Sequence, residues 1–180
     1  RHILSVEKIA TDEAAIQLVA REAAGSMRDA LSILDQVIAY SGDKLAGDEV
    51  AKVLGVADRA ALHALSSAVV EGRPADVLSQ LDALARGGSD LGHLARDLLH
   101  RFRDLVVART VPEPQALLEL PDAELRDVVA LAEASDGDDL TRLFHGLSRA
   151  LDEIIRSASV RHALEITLVK LARRPALVPI

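Results

Sequence analysis

The spacing of apolar residues is the feature that most limits what this chain can fold into. Leucine, isoleucine, valine and alanine recur every three or four positions, whereas the alternation of β-branched and polar residues that marks a strand is nearly absent. The most regular stripe has the members Leu140, Leu143, Phe144, Leu147, Leu151, Ile154 and Ile155. A period close to 3.6 places such residues on one face of an α-helix. The sequence therefore predicts an all-α fold of amphipathic helices.

The composition excludes several classes of protein. The 180 residues include no cysteine, which rules out a disulfide scaffold and a thiolate metal site within this sequence. Aromatic residues make up 2% of the chain, too few for a surface on which bases stack, and the net charge of −7 argues against a broad basic surface. The 49% of apolar residues is enough for a sizeable core. No apolar run has membrane-spanning length, so we expect no membrane association.

Capping and glycine residues divide the start of the chain into short helices. Residues 1–10 are predicted to be the tail of an earlier helix. Thr11 is predicted to cap the next helix, and Gly25 to end it in the left-handed conformation. A second helix is predicted to begin after Ser26, and a short third one to span 48–54.

A longer series of helices follows a break at Gly55 and Val56–Asp58, which we interpret as a domain boundary. The series contains helical stripes to the end of the chain, interrupted by a connector over 110–120 that holds two prolines. We therefore predict a small three-helix domain over residues 1–56 and a helical bundle over residues 57–180.

The stretch from Gly25 to Leu31 has the most informative polar pattern. Ser26 is a helix N-cap residue, and Asp29 three positions later gives an acidic variant of the capping box. Arg28 falls in the first turn, where unpaired N–H groups and a partial positive charge favour anions, and its guanidinium suits phosphate oxygens. The same pattern also fits an ordinary surface arginine that pairs with Asp29, with Glu22 or with solvent. The spacing leaves both interpretations open.

Several segments resemble one protein family. The run from Ala24 to Gln36, Ala-Gly-Ser-Met-Arg-Asp-Ala-Leu-Ser-Ile-Leu-Asp-Gln, resembles the sensor-2 segment of the bacterial DNA polymerase III gamma/tau subunit family. That family is the ATP-driven AAA+ motor of the replicative clamp loader. The flanking residues His2-Ile3-Leu4 and Val37–Tyr40 agree with it. Val50–Gly55 resembles the end of the family's lid domain, and Glu165–Ala172 resembles its closing collar helix.

The resemblance implies a role for each part of the chain. Residues 1–56 would form the helical lid that packs over bound nucleotide, and residues 57–180 the helical collar that joins subunits into the loader ring. Arg28 would be the sensor-2 arginine that reaches the γ-phosphate of ATP, and Met27 would lie near the nucleotide. Because ATP and ADP differ in the group that such an arginine touches, it would couple the nucleotide state to the lid angle.

The resemblance also implies which functions lie outside this sequence. The chain has no Gly-x-x-x-x-Gly-Lys-Ser/Thr phosphate loop and no zinc cysteines, and in the family both precede the lid. Because the sequence begins at Arg1 rather than at Met, we expect it to be part of a longer, cytoplasmic protein. ATP and Mg²⁺ are then cofactors of that parent protein, whereas this part alone is expected to need no cofactor and to show no ATPase activity.

The implied partners follow from the same family. Other clamp-loader subunits are expected to bind through the collar, and the sliding clamp and primer-template DNA through the full complex. Two alternatives remain open. One is a free-standing helical scaffold that binds a partner protein and no nucleotide, and the other is the lid of a different AAA+ protein.

Two further clusters of side chains contain residue types that can bind metal ions, but their spacing favours other interpretations. His93, Asp97, His100 and Asp104 lie at helical spacing, but opposite the apolar stripe of their helix. A solvated face supported by an Asp97–Arg101 pair is therefore the preferred interpretation.

The second cluster is Asp136, Asp138 and Asp139, which are close together but lack the spaced ligands and terminal glutamate of an EF-hand. Aspartate serves well at a helix start, so we predict a cap there rather than a calcium site.

Overall fold

Most of the described part of the chain is helical. The structure is a computed structural model that describes residues 2–7, 9–23, 25–42, 44–54, 59–118 and 120–175. It divides into two compact units, Arg1–Asp58 and Arg59–Ile180. The all-α prediction is confirmed. The predicted break at Gly55 and Val56–Asp58 lies outside the described residues.

The first unit is a small helical assembly with one short strand pair. Its helices are α1 (His2–Val6), α2 (Glu13–Glu22), α3 (Met27–Ser41) and α4 (Gly47–Leu54), and its strands are β1 (Ala10–Thr11) and β2 (Lys44–Leu45). Helices α2, α3 and α4 pack on one another around a core of Leu4, Ala15, Val19, Val37, Leu45 and Val50. The strands pair in parallel, with Ala10 opposite Lys44 and Thr11 opposite Leu45. Two-residue strands are too short to show alternation, so the sequence does not reveal them.

The prediction that Thr11 caps α2 is wrong. Thr11 belongs to β1, and the Oδ1 atom of Asp12 accepts the Ala15 N–H at 2.7 Å. The Oδ2 atom of Asp12 accepts the N–H of Gly47 at 3.1 Å, so one carboxylate joins the first turns of α2 and α4. A Cβ atom at Gly47 would lie 2.8 Å from the Cβ of Ala14, which explains why glycine is needed where these helices meet.

The second unit is a bundle of six α-helices within the described residues. They are α5 (Arg59–Val70), α6 (Pro74–Arg86), α7 (Leu91–Thr110), α8 (Asp122–Glu133), α9 (Gly137–Arg156) and α10 (Val160–Ala172), with a 3₁₀ turn at Pro114–Ala116. Helix α7 is central, because it packs against α5, α8, α9 and α10. Its buried stripe meets those of α9 and α10 in a core that includes Leu94, Leu98, Phe102, Leu105, Leu140, Leu143, Leu147, Ile154, Leu164 and Leu168. None of the helices described in either unit is long and apolar enough to cross a membrane.

Candidate functional site

The turn between α2 and α3 determines where the predicted anion-binding residues lie. Gly25 has a φ of +83°, a left-handed conformation that side chains other than glycine rarely adopt. Ser26 follows as the N-cap of α3, and its Oγ accepts the N–H of Asp29 at 3.3 Å. Both predictions for this turn are confirmed. Met27 and Arg28 are consequently the first two residues of α3.

The capping box is only half formed. Ser26 donates its own N–H to the carbonyl of Ala23 at 2.8 Å, so this group is already satisfied by the end of the preceding helix. The carboxylate of Asp29 therefore has no donor to reach back to, and the predicted reciprocal bond does not form. The tight turn between α2 and α3 is the cause, since it brings Ala23 within reach of Ser26.

Both predicted site residues project from the surface of the unit. Met27 is 71% exposed and Arg28 is also exposed. Within the described part of the chain, no carboxylate forms an ion pair with the Arg28 guanidinium, so the alternative of a pair with Asp29 or Glu22 is not realised there. The Arg28 carbonyl accepts a hydrogen bond from the hydroxyl of Ser32, one turn later, at 3.1 Å.

The exposed end of α3 combines three kinds of group. Leu31, one turn after Met27, is 38% exposed, whereas Leu34 and Ile38 further along the same helix face pack against the core. The guanidinium of Arg28 and the positive end of the helix lie at the same first turn. A cationic group beside exposed apolar side chains is an arrangement that can contact an anionic ligand carrying an apolar part.

A second polar centre, which the sequence analysis did not identify, joins three helices of the bundle. Arg174 uses all its donors: Nε and Nη2 to the carboxylate of Asp139, Nη1 to the carbonyls of Val69 and Leu171, and Nη2 to that of Val70. These contacts connect the ends of α5 and α10 with the first turn of α9. A basic residue near the end of α10 is favourable for the helix dipole, but this local preference does not indicate which groups on other helices the side chain contacts.

The expected Asp97–Arg101 pair does not form, because Arg101 belongs to a third polar centre. Arg101 is buried and its Nη2 donates to Oε1 of Glu124 on α8 at 2.5 Å. Asp97 instead lies 3.7 Å from Nε2 of His93, measured to its Oδ1. Arg101 is close to the buried stripe of α7, so its long side chain extends toward the neighbouring helix rather than along its own.

The two clusters that were considered as metal sites differ in how well the structure agrees with the preferred interpretation of each. His100 is exposed, but His93, Asp97 and Asp104 are partly buried, so the expected solvated face is only partly correct. Across the described residues, no three histidine, aspartate or glutamate side chains form a group that could hold a metal ion. Asp136 caps α9, as predicted, by accepting the N–H of Asp139 at 3.0 Å.

The carboxylates of Asp104 and Asp82, both in the bundle, have shifted pKa values. Burial raises the pKa of Asp104, against the opposing effect of the adjacent Arg103 guanidinium. The pKa of Asp82 is lowered by its hydrogen bond from Arg161 and, further, by Arg86. Arg161 lies on α10 and Asp82 on α6, joined at 3.0 Å, so this contact links those two helices.

Comparison with known proteins gives matches over both units. The family model described as DNA polymerase III subunits gamma and tau domain III matches residues 45–179, and that described as DNA polymerase III clamp loader subunit, ATPase lid domain, matches residues 1–43. The DNA polymerase III subunit tau of Bacillus subtilis is 28% identical over 173 residues, covering 95% of this chain and 30% of that protein. The corresponding tau subunit of Escherichia coli K12 is 32% identical over 173 residues, covering 94% and 26%.

A third relative and a solved structure agree with these matches. The gamma/tau subunit of Mycobacterium tuberculosis H37Rv is 30% identical over 172 residues, covering 94% of this chain and 30% of that protein. The chain therefore spans less than a third of the length of these relatives. The Bacillus subtilis DNA clamp loader delta protein superposes with a TM-score of 0.58 at 12% identity, over 96% of this chain and 54% of that one. At this identity the likeness concerns the fold.

Proposed function

The chain belongs to the DNA polymerase III gamma and tau subunit family, and on that premise we propose that it acts as the lid and collar of an ATP-driven clamp-loader subunit. Residues 1–56 form the lid over the nucleotide, and residues 57–180 form the collar that holds the subunits together. The family matches favour this function over a free-standing helical scaffold and over the lid of another AAA+ protein.

The main support for a nucleotide-sensing role is the exposed guanidinium of Arg28, which is unpaired among the described residues. An exposed guanidinium without an ion-pair partner in the described residues, at the positive end of α3, is available to a phosphate. In this proposal Arg28 contacts the terminal phosphate of ATP and loses that contact in ADP. Met27 lies beside the nucleotide as an apolar neighbour. ATP and Mg²⁺ are cofactors of the whole subunit, and the proposal requires of this chain only the contact with the phosphate.

Nucleotide affinity of the full-length subunit tests this role. Loss of one hydrogen bond to a charged group costs about 1.5–3 kcal/mol, so Arg28→Ala is expected to weaken ATP binding roughly 10- to 100-fold. ADP binding is expected to change by less than about twofold, because ADP lacks the group that Arg28 touches.

Gln36→Ala provides the matched control, because Gln36 is exposed on the same helix but lies beyond its first turns. This variant is expected to bind both nucleotides like the parent subunit. If Arg28→Ala weakens ATP and ADP equally, Arg28 is a general nucleotide contact and not a sensor. If it weakens neither, the site assignment is wrong.

The proposed role of the collar is the assembly of clamp-loader subunits in the cytoplasm. Its support is the match of residues 45–179 to domain III of the gamma and tau subunits, together with the fold shared with a DNA clamp loader delta protein. We propose that residues 57–180 bind other clamp-loader subunits, and that the sliding clamp and primer-template DNA are engaged through the full complex. Light scattering of the 180-residue chain, alone and mixed with a delta subunit, tests this. A mass above that of a monomer supports the proposal, and strictly monomeric behaviour in both samples contradicts it.

A further inference from the structure

The contact between α7 and α8 contains a charged pair within an apolar interface. The Arg101 and Glu124 side chains are 2% and 8% exposed, and they meet at 2.5 Å. Glu124 is the first member of the buried face of α8, whose other members are Val128, Leu131 and Ala132. A single ion pair therefore lies at one end of an otherwise hydrophobic helix face.

Such a pair adds little stability compared with apolar residues of the same volume. Removing two charges from water is costly, and their attraction offsets this cost only when the remaining hydrogen-bonding groups are also satisfied. That condition is not met among the described residues, since the Nη1 atom of Arg101 is buried and has no hydrogen-bond partner there. Stability alone therefore does not explain the pair.

The spacing of the α8 face suggests what the pair does. Glu124 and Val128 are one turn apart on the same face, and Leu131 and Ala132 follow at the next turn. If α8 slid by one turn along α7, about 5.4 Å, Ala132 would take the place of Val128 and the middle of the contact would stay apolar. Val128 would then face Arg101, whose buried guanidinium would have lost its carboxylate. The shifted arrangement is thus penalised by the buried charge and, at the other end of α8, by Ser135 and Asp136 in the places of Leu131 and Ala132.

The long connector before α8 leaves room for such a shift, whereas the link after it is short: residues 134–136 join α8 to α9, and the Ser135 carbonyl accepts the Nε–H of Arg109 at 3.2 Å. Residues 111–121 separate α7 from α8 and contain only a 3₁₀ turn at Pro114–Ala116 among their described members. A connector of this length and type does not by itself fix one position of the following helix. We propose that the Arg101–Glu124 pair is a register lock, which selects one docking position of α8 on α7. This proposal is independent of the nucleotide role of Arg28.

The double variant Arg101→Met with Glu124→Leu tests the lock in the 180-residue chain. It is expected to be at least as stable to urea as the parent chain, because an apolar pair replaces two buried charges. The amide NMR signals of Asp122–Glu133 are expected to double or broaden, and their hydrogen-exchange protection to fall by roughly tenfold or more, since several docking positions become accessible. The single variant Glu124→Leu is expected to lower the folding equilibrium constant roughly 100-fold or more, because it leaves Arg101 buried without a partner.

A matched control uses the other ion pair of α8. Arg59 and Asp127 lie 3.8 Å apart with side chains 44% and 40% exposed, so replacing both by Met and Leu is expected to leave one set of α8 signals. One sharp set of signals with parental protection in the Arg101/Glu124 double variant would overturn the proposal. A double variant that is unfolded, or less stable than the parent chain, would also overturn it, because the pair would then be needed for stability rather than for register.

Discussion

Replacing Arg174 by Met tests how much one side chain contributes to the closure of the bundle. Methionine keeps a long apolar stem but lacks the N–H groups that Arg174 donates to Asp139 and to the carbonyls of Val69 and Val70. The Arg174 side chain is 11% exposed, so solvent screens these contacts only weakly. Breaking a buried ion pair by removing one partner costs about 3–5 kcal/mol.

The lower end of that range applies here. Asp139 keeps a second donor, Nη1 of Arg142 at 3.3 Å, so its charge is not left entirely without a partner. We therefore expect Arg174→Met to lower the free energy of unfolding of the bundle by about 3 kcal/mol. Urea unfolding followed by circular dichroism measures this change, and hydrogen exchange locates it at the start of α9 and the end of α5.

Arg173→Met is the matched control for this substitution. Arg173 is exposed and adjacent in sequence, and the same residue type is lost with the same change in net charge. This variant is expected to unfold within about 0.5 kcal/mol of the parent chain. An equal loss of stability in the two variants would contradict this prediction, since the effect would then come from net charge or from the end of α10 rather than from the contacts of Arg174.

Three further outcomes are expected. Gly47→Ala should destabilise the first unit by about 1–3 kcal/mol in a urea titration, because the new Cβ would lie 2.8 Å from the Cβ of Ala14. Gly137→Ala is the control and should cause no such loss of stability, because the nearest atom to its Cβ lies at 3.5 Å. Burial raises the pKa of Asp104, so its charged form opposes folding above that pKa; Asp104→Asn should stabilise the chain at pH 7, and the gain should vanish below about pH 4. The purified 180-residue chain should hydrolyse no ATP above background in a phosphate-release assay, and turnover that copurifies with it would contradict the assignment of hydrolysis to the rest of the subunit.

Local signals in the sequence were sufficient to predict much of the fold. The apolar stripe of 140–155 and its cap at Asp136 predict α9, because both depend on residues within the helix or next to it. The same holds for the turn at Gly25 and Ser26, which is why the exposed position of Arg28 follows from the sequence. In these places the local preference and the tertiary structure agree.

The predictions that were wrong concern contacts between residues that are distant in the sequence. Thr11 and Asp12 are both good caps, and the choice of Asp12 depends on Gly47, which lies 35 positions away. Arg101 had a suitable partner in Asp97 one turn earlier, but Glu124 on another helix pairs with it instead. Spacing along one helix cannot reveal such partners, because they depend on which helices become neighbours.

The most direct test of the proposed nucleotide role is a structure of the full-length subunit with a non-hydrolysable ATP analogue. We expect the Arg28 guanidinium to lie within hydrogen-bond distance, about 2.7–2.9 Å, of an oxygen of the terminal phosphate. With ADP the same side chain should lose that contact. An Arg28 that remains in solvent or pairs with a protein carboxylate in the ATP-bound structure would contradict its proposed role as a nucleotide sensor.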